Sequence, residues 1–145
     1  MALLEIREVG DPVLRTTANE VTEINDNLKE LLDNMVETMY DANGVGLAAP
    51  QVGISKRVVV VDIGNGVHEL INPEIKNLSD KTYLDQEGCL SIPGKSAKVE
   101  RAYKIKVTAL NREGKEFELE AKGLLARVIQ HEVDHLEGKL FTDYV

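Results

Sequence analysis

Residues 124–137 have the sequence LLARVIQHEVDHLE, in which apolar side chains recur at helical spacing. Gly138 follows, at the position where a left-handed glycine commonly ends a helix. This predicted helix is more apolar than the other one in the chain, at 25–40, so we expect it to be central, with sheets packed around it. Its apolar positions are Leu124, Leu125, Val128, Ile129, Val133 and Leu136.

The other periodic segments predict one more helix and two hairpins. The helix covers 25–40, with Asn25 as its candidate N-cap and Gly44 just beyond its end. The paired strands are 57–62 with 67–72, and 104–111 with 115–121. Helix, strands, helix and a short terminal strand do not alternate as βαβ units do. We therefore predict an α+β fold, a single domain over 1–145 with antiparallel sheets around the central helix.

The composition argues against several classes of protein. The 145 residues include 17 Lys+Arg and 25 Asp+Glu, a net charge of −8, and the basic residues are scattered, so we expect no specific nucleic-acid binding. The longest apolar run, Val58–Val61, is far shorter than the roughly 20 residues that span a bilayer, so we expect no membrane insertion. The lone Cys89 cannot form an intramolecular disulfide, and no signal peptide is apparent. Both features predict a cytoplasmic protein.

An H-E-x-x-H pattern, residues 131–135, lies inside the predicted central helix and contains two of the three histidines in the chain. At about 100° per residue, His135 lies only about 40° around the helix axis from His131, one turn along it. Both imidazoles can therefore bind one metal ion. Glu132 lies about 60° further round, where it can accept a proton from water and return it to a leaving group. The alternative, surface histidines on a helix, would need this pattern to arise by chance.

A catalytic metal site needs a third protein ligand and one open coordination position. No histidine follows His135, and Glu137, the only glutamate after it, points away from the metal around the helix. The third ligand is therefore expected upstream, where Cys89 and His68 are the candidates. Cys89 lies in a shaped, non-helical segment rich in Gly and Pro, and beside two suitably spaced histidines we favour a ligand over an inert buried thiol. His68 fits a solvent-facing strand position.

The segment Gly44–Gln51, with the sequence GVGLAAPQ, combines small residues with a terminal amide. It has neither the Gly-Lys-Ser/Thr sequence nor the strand-to-helix setting of a phosphate loop. Close approach of its backbone to a ligand, with Gln51 donating its amide to an oxyanion, fits better. A tight turn packed against the core is the alternative.

Three segments together resemble the peptide deformylase family. Gly44–Gln51 matches G-x-G-x-A-A-x-Q, Glu87–Ser91 matches E-G-C-L-S, and Gln130–His135 matches Q-H-E-x-D-H, in the family's order. The similarity extends over essentially the whole chain. It implies an enzyme that removes the formyl group from the N-terminal formylmethionine of nascent proteins and releases formate, on an α+β fold with sheets around the histidine helix.

The resemblance also implies roles for single residues. Glu132 would be the general acid and base, and Gln51 with the Leu90 backbone N–H would stabilise the tetrahedral oxyanion. The implied metal is Fe²⁺, with Zn²⁺, Ni²⁺ or Co²⁺ also accommodated, and the donor set itself does not choose among them. The metal ligands would be Cys89, His131 and His135.

Contacts to the substrate follow in the same way. Gly46 stands where the family contacts the peptide backbone, with Gly44 and Val45 beside it. We expect an apolar pocket beside the helix to hold the methionine side chain, with Val45, Val128 and Leu124 in its wall. The sequence as given lacks the basic C-terminal helix that docks some members on the ribosome, so we expect only transient proximity to the ribosome.

Two other functions remain open at this point. A zincin-type endopeptidase shares H-E-x-x-H but would need a third ligand that this chain takes from Cys89. A non-catalytic metal-binding module, or an inactive relative, would keep the ligands without the chemistry. The presence of both Glu132 and Gln51 favours catalysis.

Overall fold

The structure is a computed structural model that describes residues 2–144; Met1 and Val145, the ends of the predicted domain, lie outside the described residues. The α-helices are α1 (Asp26–Asp41) and α2 (Leu124–Leu136). The strands are β1 (Gly46–Ala48), β2 (Val58–Val61), β3 (His68–Leu78), β4 (Thr82–Cys89), β5 (Ile92–Ala102), β6 (Lys104–Leu110) and β7 (Glu116–Lys122). Short 3₁₀ helices cover Pro12–Arg15, Ala49–Val52 and Phe141–Tyr144. None of the helices in the described range has the length and apolarity needed to cross a membrane.

The strands form two antiparallel sheets. One has five strands in the order β1-β2-β3-β6-β7, and the other is the β4–β5 hairpin. The two predicted hairpins are confirmed as β2 with β3 and β6 with β7. Asn25 caps α1, its side chain accepting the Leu28 N–H at 3.0 Å, and Gly138 has the left-handed φ of 74° expected after α2.

The unbroken valine run of β2 is explained by helices on both faces of the sheet. Val58 and Val60 pack with the apolar face of α1, whereas Val59 and Val61 pack with α2. A strand covered on both faces needs no polar side, which is why its sequence does not alternate. α2 also contacts β5 of the hairpin, so it lies between the two sheets. The predicted α+β fold with antiparallel sheets around the histidine helix is confirmed.

The prediction of a short terminal strand is wrong. Residues Phe141–Tyr144 form a 3₁₀ helix instead. The Asp143 carboxylate accepts the Leu140 N–H at 3.1 Å, and the Asp143 N–H donates to the Leu140 carbonyl at 2.9 Å. These local bonds satisfy backbone groups that a strand would pair with a neighbour. Phe141 is buried there, against the histidine helix.

Candidate metal centre

Three side chains that could ligate a metal ion converge where β4 ends beside α2, and they are called the donor group below. Cys89 is the last residue of β4, and His131 and His135 lie one turn apart on α2. Their ligand atoms all lie within 4.8 Å of one another, with 3.4 Å between Cys89 Sγ and His135 Nε2. A tetrahedral metal with bonds of about 2.0 Å to nitrogen and about 2.3 Å to sulfur would place such a pair about 3.5 Å apart, close to the Cys89–His135 separation. His68 is partly buried at the start of β3 and is not part of this group, the only such group of donors among residues 2–144.

The protonation of the two histidines also favours a cation at this position. Burial lowers the pKa of His135 to about 3, so its imidazole is neutral and free to ligate. Burial also opposes the charge on His131, but hydrogen bonds to Cys89 and Glu87 outweigh it and raise the pKa of His131 to about 10. The surroundings of His131 thus stabilise positive charge, which a metal ion would supply in place of the proton.

Glu87 fixes the orientation of His131. The His131 Nδ1–H donates to Glu87 Oε1 at 2.9 Å, which turns Nε2 towards the other donors. Arg101 donates twice to Glu87, at 2.8 and 2.9 Å, and Arg127 donates once, at 2.6 Å. Burial opposes ionisation of Glu87, but the Arg101 hydrogen bonds outweigh it and hold the pKa of Glu87 at about 2. The carboxylate therefore stays charged and remains an acceptor for His131.

The sequence alone predicted no role for Glu87, Arg101 or Arg127. Glu87 and Asp134 lie in the motifs E-G-C-L-S and Q-H-E-x-D-H, which could have marked them as functional. No neighbouring residue in the sequence indicates that Asp134 accepts a bond from Arg101. Arg127 carried a weak signal as a charged residue in an apolar stretch of α2. Both arginines are buried, which is uncommon for charged side chains unless they are paired.

Glu132 lies at the edge of the donor group with a buried carboxyl group. Its side chain is 4% exposed, and its Oε1 has no hydrogen-bond partner among the residues that the structure describes. Burial raises the pKa of Glu132 to about 7. A carboxyl group near neutrality that lacks a protein partner is suited to exchanging protons with a bound molecule.

The backbone of β1 approaches Glu132 closely because residue 46 is glycine. A Cβ atom at Gly46 would lie 2.6 Å from Glu132 Oε2 and 2.8 Å from Val128 Cγ1. Real Cβ atoms do not come this close to their neighbours, so a side chain at position 46 would force Glu132 or Val128 to shift. Gly44 is similarly close to Leu90, whose Cδ1 would lie 2.7 Å from a Cβ atom.

Gln51 presents its amide nitrogen to the donor group. Its Oε1 accepts the Ala48 N–H at 2.9 Å, which fixes the orientation of the amide. Its Nε2 lies 3.2 Å from Ser91 Oγ and 3.5 Å from Cys89 Sγ. Leu90 occupies the turn directly after Cys89 and lines the same cavity as Cys89. The Gln51 amide and the Leu90 backbone N–H are candidate donors to a developing oxyanion.

Two cavities open onto the donor group. The larger, about 350 Å³, is lined in part by Gly44, Gly46, Cys89, Leu90 and Glu132. The smaller, about 120 Å³, has the three predicted wall residues in its lining, together with His131 and Glu132. These wall residues are Val45, Leu124 and Val128. The structure thus brings together the residues that the sequence proposed for ligation, catalysis and substrate contact.

Comparisons with known proteins point to one family. The family model described as polypeptide deformylase matches residues 3–145. A peptide deformylase of Halothermothrix orenii is 58% identical over 147 residues, covering 100% of this chain and 95% of that protein. One from Desulfitobacterium hafniense is 59% identical over 143 residues, covering 99% and 95%. The crystal structure of peptide deformylase from Thermotoga maritima is 50% identical, with a TM-score of 0.97 and coverage of 99% of this chain and 97% of that one.

Proposed function

The chain belongs to the polypeptide deformylase family, metal-dependent hydrolases that remove the N-formyl group from nascent peptides, and from this premise we propose which residues perform the reaction. Glu132 is the general acid and base, and the Gln51 amide and the Leu90 N–H stabilise the oxyanion. The metal ligands are Cys89, His131 and His135. The observation that carries the proposal is the convergence of three donors beside a buried carboxyl group whose Oε1 has no partner in the described chain.

A divalent ion bound at Cys89, His131 and His135 would supply Lewis acidity and make water a nucleophile near neutral pH. One thiolate and two imidazoles suit Fe²⁺, Zn²⁺, Ni²⁺ or Co²⁺. We propose Fe²⁺ as the native ion, on the family resemblance.

Glu132 moves one proton in each half of the reaction. It accepts a proton as the water oxygen bonds to the formyl carbon. The carbonyl oxygen gains negative charge, and the Gln51 Nε2 and Leu90 N–H donate to it, each such donor contributing about 3 kcal/mol. Glu132 then gives its proton to the amine nitrogen as the C–N bond breaks and that nitrogen takes the electron pair. The products are formate and a free N-terminal amine.

The peptide is held by the residues around β1. We propose that Gly44, Val45 and Gly46 contact its backbone, because all three line the larger cavity beside Glu132. The methionine side chain enters the smaller cavity, against Val45, Leu124 and Val128. The formyl group then lies beside Glu132, which both cavities share.

We further propose that 1–145 is a single catalytic domain that works in the cytoplasm, in transient proximity to ribosomes. The two larger apolar clusters share the strands of one sheet, which supports one folding unit. A thiolate ligand at Cys89 favours a reducing compartment.

Release of formate from formyl-Met peptides tests the proposed activity. We expect release to depend on the added metal and to leave unformylated peptides and internal peptide bonds intact. Cleavage of internal bonds would indicate an endopeptidase, and metal binding without formate release would indicate an inactive relative.

A further inference from the structure

The hydrogen-bond network behind His131 continues past Arg101 to the surface of the protein. Arg101 Nη1 donates to Asp134 Oδ2 at 2.7 Å. The Tyr144 hydroxyl donates to the same oxygen, also at 2.7 Å. The Tyr144 ring lies over the Arg101 guanidinium, 4.8 Å from ring centre to Cζ. A continuous series of contacts therefore joins Tyr144 to the His131 ring through Asp134, Arg101 and Glu87.

This network links the two parts of the chain that carry the metal donors. Glu87 and Arg101 lie on the β4–β5 hairpin, which also carries Cys89. His131 and Asp134 lie on α2. The Glu87–His131 and Arg101–Asp134 bonds therefore both attach the hairpin to the helix. They lie at the two ends of the Glu87–Arg101 salt bridge, which is within the hairpin.

We propose that Tyr144 is a positioning residue for the metal centre. Its hydroxyl holds the Asp134 carboxylate, which holds Arg101 and thereby keeps Glu87 on His131. Tyr144 touches neither the donors nor the two cavities of the site, so it acts only through the other residues. The inference rests on the proposed function in one respect, the role of His131 as a metal ligand.

Asp134 needs such a partner because it is the most exposed of the residues that join Tyr144 to His131. Its side chain is 19% exposed, against 5% for Arg101. A partly exposed carboxylate can turn towards water, and Arg101 would then lose the bond that ties its Nη1 to α2. The Tyr144 hydroxyl gives Asp134 Oδ2 a second donor, and the ring shields the ion pair from solvent.

Tyr144 is itself held by contacts that do not involve Asp134. Phe141 is buried in the same 3₁₀ helix and stacks on His131, with ring centres 6.1 Å apart. Asp143 accepts two bonds from Arg15, at 2.7 and 3.0 Å. Replacing Tyr144 with phenylalanine should therefore leave the segment in place and remove only the hydroxyl.

The test compares Tyr144→Phe with Tyr40→Phe in the protein loaded with Co²⁺. Tyr40 is a matched control, because its hydroxyl also donates to an aspartate, Asp62, and the two tyrosines are 48% and 49% exposed. The measurements are cobalt release to excess chelator, the thiolate-to-cobalt absorption, and kcat and KM for a formyl-Met peptide. Removing a direct outer partner of a metal ligand typically costs 10–100-fold in metal affinity. Tyr144 lies further out, so we expect Tyr144→Phe to release cobalt about 3–10-fold faster.

The KM of Tyr144→Phe should stay at the wild-type value, and Tyr40→Phe should release cobalt at the wild-type rate. If Tyr144→Phe released cobalt at the wild-type rate, the proposal would be overturned. Faster cobalt release from Tyr144→Leu would not rescue it, because the ring, and not the hydroxyl, would then be what matters. Equal acceleration in Tyr40→Phe would also overturn it, as a general effect of lost stability. Absence of thiolate-to-cobalt absorption in the wild-type protein would instead refute Cys89 ligation, and so the proposed function.

Discussion

Replacing Glu87 with glutamine removes one buried charge while keeping the shape of the side chain. The wild-type carboxylate is 4% exposed and accepts four bonds of 2.6–2.9 Å from Arg101, Arg127 and His131. In the variant, the buried Arg101 keeps one carboxylate partner, Asp134, and the buried Arg127 keeps only backbone carbonyls. Breaking a buried ion pair from one side costs about 3–5 kcal/mol. For a chain of this length we expect the melting temperature of the metal-free protein to fall by about 10–15 °C.

The same substitution should weaken metal binding. A glutamine oxygen can still accept a bond, but it carries no charge, and the amide nitrogen faces donors where an acceptor is needed. The His131 ring therefore loses the partner that fixes its Nδ1–H. We expect metal affinity to fall by about 10–100-fold, the usual effect of losing such a partner.

Glu69→Gln is the control for Glu87→Gln. Arg112 is held between Glu69 and Asp33, as Arg101 is held between Glu87 and Asp134, by bonds of 2.6–2.9 Å. The Arg112 side chain is 32% exposed, so this pairing should be worth about 1 kcal/mol or less. Thermal unfolding and chelator competition measure both variants. A melting temperature of Glu87→Gln within 3 °C (about 1 kcal/mol) of that of Glu69→Gln would show that the Glu87 charge does not stabilise the buried arginines. Wild-type metal affinity in Glu87→Gln would show that Glu87 does not orient His131 for metal binding.

Three further outcomes are expected. Glu132→Gln should keep its metal but lose at least about 100-fold in kcat, because an amide cannot carry the proton; loss of metal instead would identify Glu132 as a ligand. Gly46→Ala should also keep its metal and lose about 100-fold in kcat, since the new Cβ displaces Glu132; an active Gly46→Ala enzyme would contradict the close approach of β1. In air, iron-loaded protein should lose formate release and the Cys89 thiol faster than zinc-loaded protein, because Zn²⁺ is redox-inert, and equal decay of both forms would refute iron-dependent oxidation.

The parts of the fold that were predictable are those in which local periodicity and burial agree. The apolar face of α2 and the i, i+4 spacing of His131 and His135 follow from 3.6 residues per turn, whatever surrounds the helix. The valine run of β2 is typical of a strand buried on both faces, and two helices cover it. In both elements the side chains alone carry the signal.

The β4–β5 hairpin was not predicted, because most of it faces solvent. Its strands carry few buried apolar residues, and Leu84 in β4 is 60% exposed, so no regular alternation marks it. Cys89 is paired with Ile92 only after a shift of register that follows Gly88. Its position beside α2 therefore depends on contacts between residues distant in the chain, which spacing does not reveal. The burial of Arg101 and Arg127 was not predicted either, because charged residues are expected on the protein surface.

The solvent exposure of the β4–β5 hairpin explains why a network of charged side chains, and not an apolar core, supports the metal ligands. The hairpin shares only a small apolar cluster with the end of the chain, formed by Ile92, Val99, Leu140 and Phe141. Hydrophobic contact is non-directional and cannot by itself set the distance between Cys89 and the histidines. Ion pairs with fork geometry are directional, and Arg101 joins Glu87 to Asp134 across the hairpin–helix boundary. A buried network of this kind adds little net stability compared with a well-packed apolar substitute. Its contribution is geometric, because it fixes the hairpin and His131 with the same bonds.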